Sequence, residues 1–185
     1  MELEQAIKGR RSVRVYEDEP VPKDLLRRII EAGTYAPSAK NGQQWRFTVL
    51  TGESKRLLLA TFREGLEKTK KKWGERNMGS SFNSCKIMEQ APDLIIVWNA
   101  GENNWESEVH SVAASIQNML LMAYSLGLGS LWIADVFYAR DSIVKHLGKR
   151  WKLIAAVAIG WPTEKEKNKP PPKKMSVEEV SEFLT

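Results

Sequence analysis

The sequence predicts a mixed helix–strand fold, α+β or α/β, and three observations carry that expectation. Short apolar runs near residues 46–50, 93–98, 131–133 and 153–159 have the length and composition of buried strands. Long segments with the 3.6-residue period of helices separate them. One of these segments, starting at Glu106, carries apolar residues nearly all round, as a helix enclosed in a core does.

From the N-terminus, residues 2–8 read as a short amphipathic helix with Leu3, Ala6 and Ile7 inward, ended by Gly9. The stretch Arg10-Arg11-Ser12-Val13-Arg14-Val15-Tyr16 then alternates basic or polar residues with apolar ones. Its arginines and serine fit a grip on an oxyanion through charge-assisted bonds, and equally a solvated edge strand protected from aggregation. Residues 22–35 read as a helix with Pro22 in its first turn and Leu25, Leu26, Ile29 and Ile30 inward. It runs into 36–45, a loop of small and amide-bearing residues that favours binding over a plain turn cluster.

Residues 53–73 carry Leu57, Leu58 and Leu66 at helical spacing and end in Lys68, Lys70, Lys71 and Lys72. Cations suit a helix C-terminus, so that run reads as a solvated face. A polar, mobile stretch at 78–83 leads to a short helix ending near Gln90, stopped by Pro92. The central helix follows, with Asn103 or Asn104 as N-cap and Glu106 and Glu108 in the favourable first turn. Gly127 and Gly129 close it. Residues 141–147 form a further helix closed by Gly148. The tail at 163–174 has three prolines among lysines and no apolar pattern, whereas 175–184 regains Val177, Val180, Phe183 and Leu184. An arm with an apolar end implies docking on a second subunit.

The 185 residues, 42% hydrophobic, suffice for a single domain spanning the chain, 1–185. The net charge of +5 points to an anionic ligand or partner. A lone Cys85 leaves no internal disulfide and fits a reducing cytoplasm; with only His110 and His146 beside it, a zinc site is not expected. His110 is expected in the core and His146 on the surface. The N-terminus has no secretory pattern, and the central apolar run is interrupted by Ser111, Ser115, Gln117 and Asn118, so neither export nor a membrane span is expected. The basic runs lack interleaved aromatics, which disfavours nucleic acid. Gly127-Leu128-Gly129-Ser130-Leu131-Trp132 begins like a dinucleotide fingerprint but follows a helix instead of opening one. No nucleophile elbow, phosphate loop or metal-protease helix is present. The chemistry is therefore expected to come from something bound.

Four stretches taken in order resemble the nitroreductase family of flavin mononucleotide (FMN) enzymes. They are Arg10 to Arg14; Ala36-Pro37-Ser38 through Asn41, Gln43 and Trp45; Gly127 to Ile133; and Ala158-Ile159-Gly160-Trp161-Pro162. The resemblance spans the whole chain and implies an α+β fold with a central, mainly antiparallel sheet flanked by helices. It also implies a homodimer with a shared active site, the long helix at the interface and exchanged C-terminal arms, here 163–185. By that resemblance Arg10, Arg11, Ser12 and Arg14 hold the phosphate, ribityl chain and pyrimidine edge, with Asn83 and Lys86 on the ribityl and pyrimidine side. Pro37, Ser38 and Ala39 approach from the other subunit, with Asn41 and Gln43 nearby. Trp132, Ile133, Ala134 and Asp135 pass their backbone beside the reactive ring nitrogen. Lys174, helped by Lys173, stands where an arginine usually meets the phosphate. Gln44 replaces the family's usual proline, which is expected to loosen that loop, and Ala134-Asp135 is more polar than the usual pair.

The implied activity is reduction of nitroaromatics or quinones with NAD(P)H as electron donor, the two substrates alternating over one flavin face. No side chain is assigned as an essential acid or base. The alternative is another reaction on the same fold, reductive dehalogenation or flavin fragmentation. Cys85 reads as a core filler, and Trp73, Trp105 and Trp151 as packing anchors.

Overall fold

The four apolar runs form one antiparallel sheet, which settles the open class as α+β. The computed structural model describes residues 1–74, 78–103 and 105–184, with Trp73 described by its backbone alone. The strands are β1 (Trp45–Thr51), β2 (Asp93–Asn99), β3 (Gly129–Ile133) and β4 (Lys152–Gly160), in spatial order β1-β2-β4-β3. The central pair runs with Asp93 opposite Ile159 and a register shift between Val97 and Trp98.

Both faces of this sheet are covered. Leu94, Ile96, Trp98, Ala156 and Ala158 enter one core, packed by α3 (Gly52–Trp73), α4 (Gly79–Gln90) and α6 (Arg140–Leu147). Ile95, Val97, Ala155, Val157 and Ile159 enter the other, packed by α2 (Lys23–Thr34) and α5 (Glu106–Ser125). This is why β2 and β4 read as unbroken apolar runs, although antiparallel strands more often alternate. The edge strand β1 is less completely covered, with Arg46 and Val49 exposed.

Local signals account for most boundaries. Thr51 and Ser54 form a capping box at the start of α3. Gly127, at φ +79°, follows the C-cap of α5, and Leu128 N–H returns to the Ala123 carbonyl at 2.9 Å. Gly129, expected as a second closing residue, belongs to β3. The N-cap of α5 is Trp105; Asn103 instead donates from Nδ2 to Glu108 at 3.5 Å. The other expected cap, Asn104, lies outside the described residues.

Several expectations are corrected by the packing. The helix expected to open at Asn83 starts at Gly79, because Met78 and Ser81 are fully buried and tertiary contact outweighs weak propensity. The central helix is not enclosed all round. Val109, Ala113 and Leu121 are half-buried and Gln117 exposed, an i, i+4 series that leaves one stripe of α5 uncovered in the single chain. His110 lies on that outer side and is exposed, not a core residue. The tail is structured near its start: α7 (Glu164–Lys167) is held by Thr163, which accepts from Glu166 N–H at 3.3 Å.

Beyond it, residues 167–184 are exposed on the chain, including a last short helix α8 (Val177–Val180). Met175, Val177, Val180, Phe183 and Leu184 find no cover on their own protomer. The short helix α1 (Leu3–Gly9) buries Ala6, with Leu3 and Ile7 exposed rather than inward. Cys85 is buried and unpaired, its thiol pushed up by desolvation, as a core filler should be. His146 is exposed at the surface, near Thr61 Oγ1 at 3.0 Å. Trp105 is half-exposed and Trp151 packs on the α3/α4/α6 core. No described helix is long and apolar enough to cross a membrane.

Candidate active site

The arginine-bearing segment is an extra strand in miniature on the free edge of β3. Ser12 bridges Ser130 in parallel, Val13 N–H donates to the Ser130 carbonyl at 3.0 Å, and Tyr16 bridges Pro162. Val13 and Tyr16 are buried, Tyr16 donating its hydroxyl to the Val13 carbonyl at 2.8 Å, while Arg14 and Val15 between them are left exposed. Gly129 permits this approach: a Cβ there would meet Val13 Cγ1 at 2.7 Å. The segment is thus an edge strand, with Arg14 turned outward.

Facing the segment is the proline-lysine tail of the same chain. Arg10, Arg11, Ser12 and Arg14 line a cleft of about 290 Å³ with Lys169, Pro170, Pro172 and Lys174. Lys174 thus lines this cleft together with the arginines of its own chain. Lys173, on the same exposed stretch, is not among the residues lining that cleft. Lys169 is a cleft residue that sequence reasoning missed.

Glu166 is the second missed residue, and it organises the first. Its carboxylate, 2% exposed, accepts from Arg11 Nη2 at 3.0 Å and is paired with Lys169 Nζ. Burial alone would push Glu166 up; hydrogen bonds from Lys169 and Arg11 outweigh it and hold the carboxyl below the ordinary range. The available signal was faint: an i, i+3 Glu166/Lys169 pair in a tail otherwise without pattern.

The second group of expected residues gathers at the other end of β3. Ser84 of α4 donates to Asp135 Oδ2 at 2.5 Å, fastening α4 to the 3₁₀ turn Asp135–Ala139. Asn83 and Lys86 flank Ser84 and are exposed, as are Trp132 and Ala134 at the end of β3, while Ile133 is buried. Trp132 to Asp135 thus run from the arginine-bearing edge towards α4.

The third group lies elsewhere. Pro37, Ser38, Ala39, Asn41 and Gln43 form a tight loop with a 3₁₀ turn at Ala39–Asn41. Lys40, Asn41 and Gln43 take φ values of +53°, +50° and +46°, each a left-handed conformation that costs a non-glycine residue about 1–2 kcal/mol. The loop is held by its anchors. Ala39 N–H donates to Ser111 Oγ at 3.0 Å, Gln43 N–H to Ser38 Oγ at 3.1 Å, and Ala100 N–H to the Gln44 carbonyl at 2.7 Å. The Gln44 carbonyl would accept that bond with proline in its place as well; the Gln44 side chain adds a donation from Nε2 to the Ala39 carbonyl at 3.4 Å.

Ser111 is near the start of α5, whereas Arg10 and Arg11 share a recess of about 600 Å³ with Tyr124 and Gly127 at its end. Thirteen residues of helix separate Ser111 from Tyr124, roughly 20 Å at 1.5 Å each. One chain does not bring the loop and the arginine segment together.

The residues present fit a phosphate monoester on a polar chain. Five cationic side chains from two segments converge on one cleft, and Trp161 Nε1–H in the adjoining recess is buried without a partner. No cluster that would hold a metal ion occurs among the described residues.

Known proteins share this sequence pattern and fold. A Bacillus subtilis protein, YfhC, assigned as an NAD(P)H nitroreductase, is 27% identical over 168 residues, 88% of this chain and 85% of its own. The 5,6-dimethylbenzimidazole synthase of Rhodospirillum rubrum is 22% identical over 174 residues, 88% of this chain and 82% of its own. A crystal structure from Desulfovibrio desulfuricans, assigned as a nitroreductase in complex with FMN, superposes with a TM-score of 0.78 at 28% identity, over 100% of this chain and 99% of that one. The sequence pattern of the Nitroreductase family matches residues 7–161, most of the chain, and the protein belongs to that family.

Proposed function

We propose that this chain is an FMN-dependent oxidoreductase that draws electrons from NAD(P)H and works as a homodimer with a shared site. The observation that carries the reading is the five-cation cleft along the free edge of β3. Arg10, Arg11, Arg14, Lys169 and Lys174 neutralise the phosphate there, with Ser12 on the adjoining polar chain. Asn83 and Lys86 hold the pyrimidine side, and Trp132, Ile133, Ala134 and Asp135 flank the ring through their backbone. Lysine in place of arginine at Lys174 supplies charge without a planar fork. When bound, the flavin supplies the two-electron chemistry. The protein supplies orientation and fixed positive charge, Lys86 and Arg14, at the side where negative charge develops.

Pro37, Ser38, Ala39, Asn41 and Gln43 of the partner subunit complete the site, since the same loop of one chain lies at the far end of α5. The uncovered stripe of α5 and the apolar arm at 175–184 supply surfaces for that dimer. NAD(P)H and a planar, electron-poor acceptor, a nitroaromatic or a quinone, take turns at one opening. Similarity to 5,6-dimethylbenzimidazole synthase favours flavin fragmentation as the second reading.

The test is direct. Denaturing the purified protein should release FMN, or the colourless protein should take it up. NADH or NADPH should then bleach the flavin before any acceptor is added. Failure to bind FMN in either experiment would remove the reading; binding without bleaching by either nucleotide would favour the fragmentation class.

A further inference from the structure

The lysines at the end of α3 read as a solvated helix terminus in the sequence, but the fold gives two of them a facing wall. Lys68 and Lys72, one turn apart, line a cleft of about 330 Å³ with Phe137, Arg140, Asp141 and Ser142 across it. The walls are close because Gly65 of α3 packs on the turn after β3: a Cβ at Gly65 would meet Ala139 Cβ at 2.5 Å. Thr69 fixes the same contact, donating from Oγ1 to the Tyr138 carbonyl at 2.6 Å. Three cations from two elements thus converge, against one carboxylate. That carboxylate, Asp141, is turned to solvent and faces Arg140 Nε at 3.5 Å. Neither Lys68 nor Lys72 has a hydrogen-bonding or ion-pair partner among the described residues.

The cleft also has an aromatic floor. Phe137 is 56% exposed, and the Arg140 guanidinium sits 5.7 Å from its ring centroid. A planar group would stack on that ring, and a doubly charged group would be held by the lysines. The position is informative too. Phe137 is two residues beyond Asp135, which Ser84 ties to α4 beside Asn83 and Lys86. Asp135 to Arg140 covers roughly 10 Å of 3₁₀ turn at about 2 Å per residue.

We infer that this cleft receives the adenosine 2′-phosphate end of NADPH, so that NADPH rather than NADH is the preferred donor. The inference rests on the proposed function, which puts the nicotinamide over the flavin near Trp132 to Asp135. A 2′-phosphate carries close to two negative charges at neutral pH, and the cleft offers an excess of two positive ones. The adenosine of NADH lacks that phosphate and gains only the stacking on Phe137.

The experiment compares the wild type with the Lys68→Gln/Lys72→Gln double variant, whose positions are exposed and play no part in holding the flavin. Calorimetry measures binding of adenosine 2′,5′-bisphosphate and of adenosine 5′-diphosphate, and rapid mixing measures flavin reduction by NADPH and NADH. The wild type should bind the 2′-phosphate probe about tenfold or more tightly than the other, and the double variant should lose that preference with flavin content unchanged. NADPH reduction should slow at low donor concentration in the variant, and NADH reduction should not. Equal affinity for the two probes in the wild type, or equal losses for both donors in the variant, would overturn the inference. So would a loss seen only with an anionic acceptor, 4-nitrobenzoate, and absent with nitrobenzene, since the cleft would then serve the acceptor. A protein that discriminates the two probes yet never binds FMN would refute the proposed function and leave the phosphate cleft standing.

Discussion

At the scale of single residues, Glu166 shows how a carboxylate can position the cations of an anion site while offsetting part of their charge. It is buried between Arg11 and Lys169 and fixes both where they line the cleft. Its pKa is lowered in the fold, so the carboxylate contributes full stability above its unfolded value and loses that contribution as pH falls through the lowered, folded one. Glu166→Gln should therefore destabilise the protein by about 1.5–3 kcal/mol at neutral pH, the worth of a hydrogen bond to a charged group. The deficit should shrink in acid, below the ordinary carboxylate range. Urea unfolding at a series of pH values checks this; a deficit independent of pH would contradict it. Only the i, i+3 spacing of Glu166 and Lys169 was legible in the sequence; Arg11 and Glu166 are 155 positions apart and only the folded tail joins them. Arg10, Arg11, Ser12 and Arg14 were legible as a set because four polar residues within one short extended segment are an unusual local concentration. Lys169 looked like any other tail lysine.

Among elements, the sheet was readable for a specific reason. β2 and β4 are buried on both faces, so their apolar runs are continuous, and it is their shortness and β-branched content that separate them from a buried helix. The edge contact between the arginine segment and β3 was open between two readings, since alternation alone cannot say whether an exposed face meets ligand or water. The start of α4 was illegible because Gly79, Ser80 and Ser81 are poor helix formers that burial of Ser81 nevertheless holds in place. The edge contact itself can be tested through Gly129. A methyl there would meet Val13 Cγ1 at 2.7 Å, so Gly129→Ala should cost about 1–3 kcal/mol of stability and displace the arginine segment, weakening FMN binding. Gly79→Ala, where a Cβ meets nothing within 4 Å, is the control and should be neutral or slightly stabilising. Denaturant titration together with FMN titration checks both; unchanged FMN affinity in Gly129→Ala would show that the edge pairing does not position the arginines.

For the whole molecule, the central helix explains what a single chain leaves undone. Its period identified it as a core helix, yet the stripe through Val109, Ala113, Gln117 and Leu121 remains uncovered. Periodicity reports which residues are apolar, not which chain they will meet. The same limit applies to 175–184, whose apolar residues stand out in the sequence while their cover is absent from the protomer. The separation of roughly 20 Å along α5 has a genetic consequence. If each site takes its arginines from one chain and its loop from the other, damage to either half can be rescued by a differently damaged neighbour. Arg14→Ala removes one half; Ala39→Pro removes the other by deleting the N–H that anchors the loop to Ser111. Each variant alone should fail to retain flavin. Co-expressed, they should form mixed dimers holding one undamaged and one doubly damaged site, restoring about a quarter of wild-type flavin content for random pairing of a two-fold dimer. Two alleles that are each null would then complement one another, which no site contained within one chain allows.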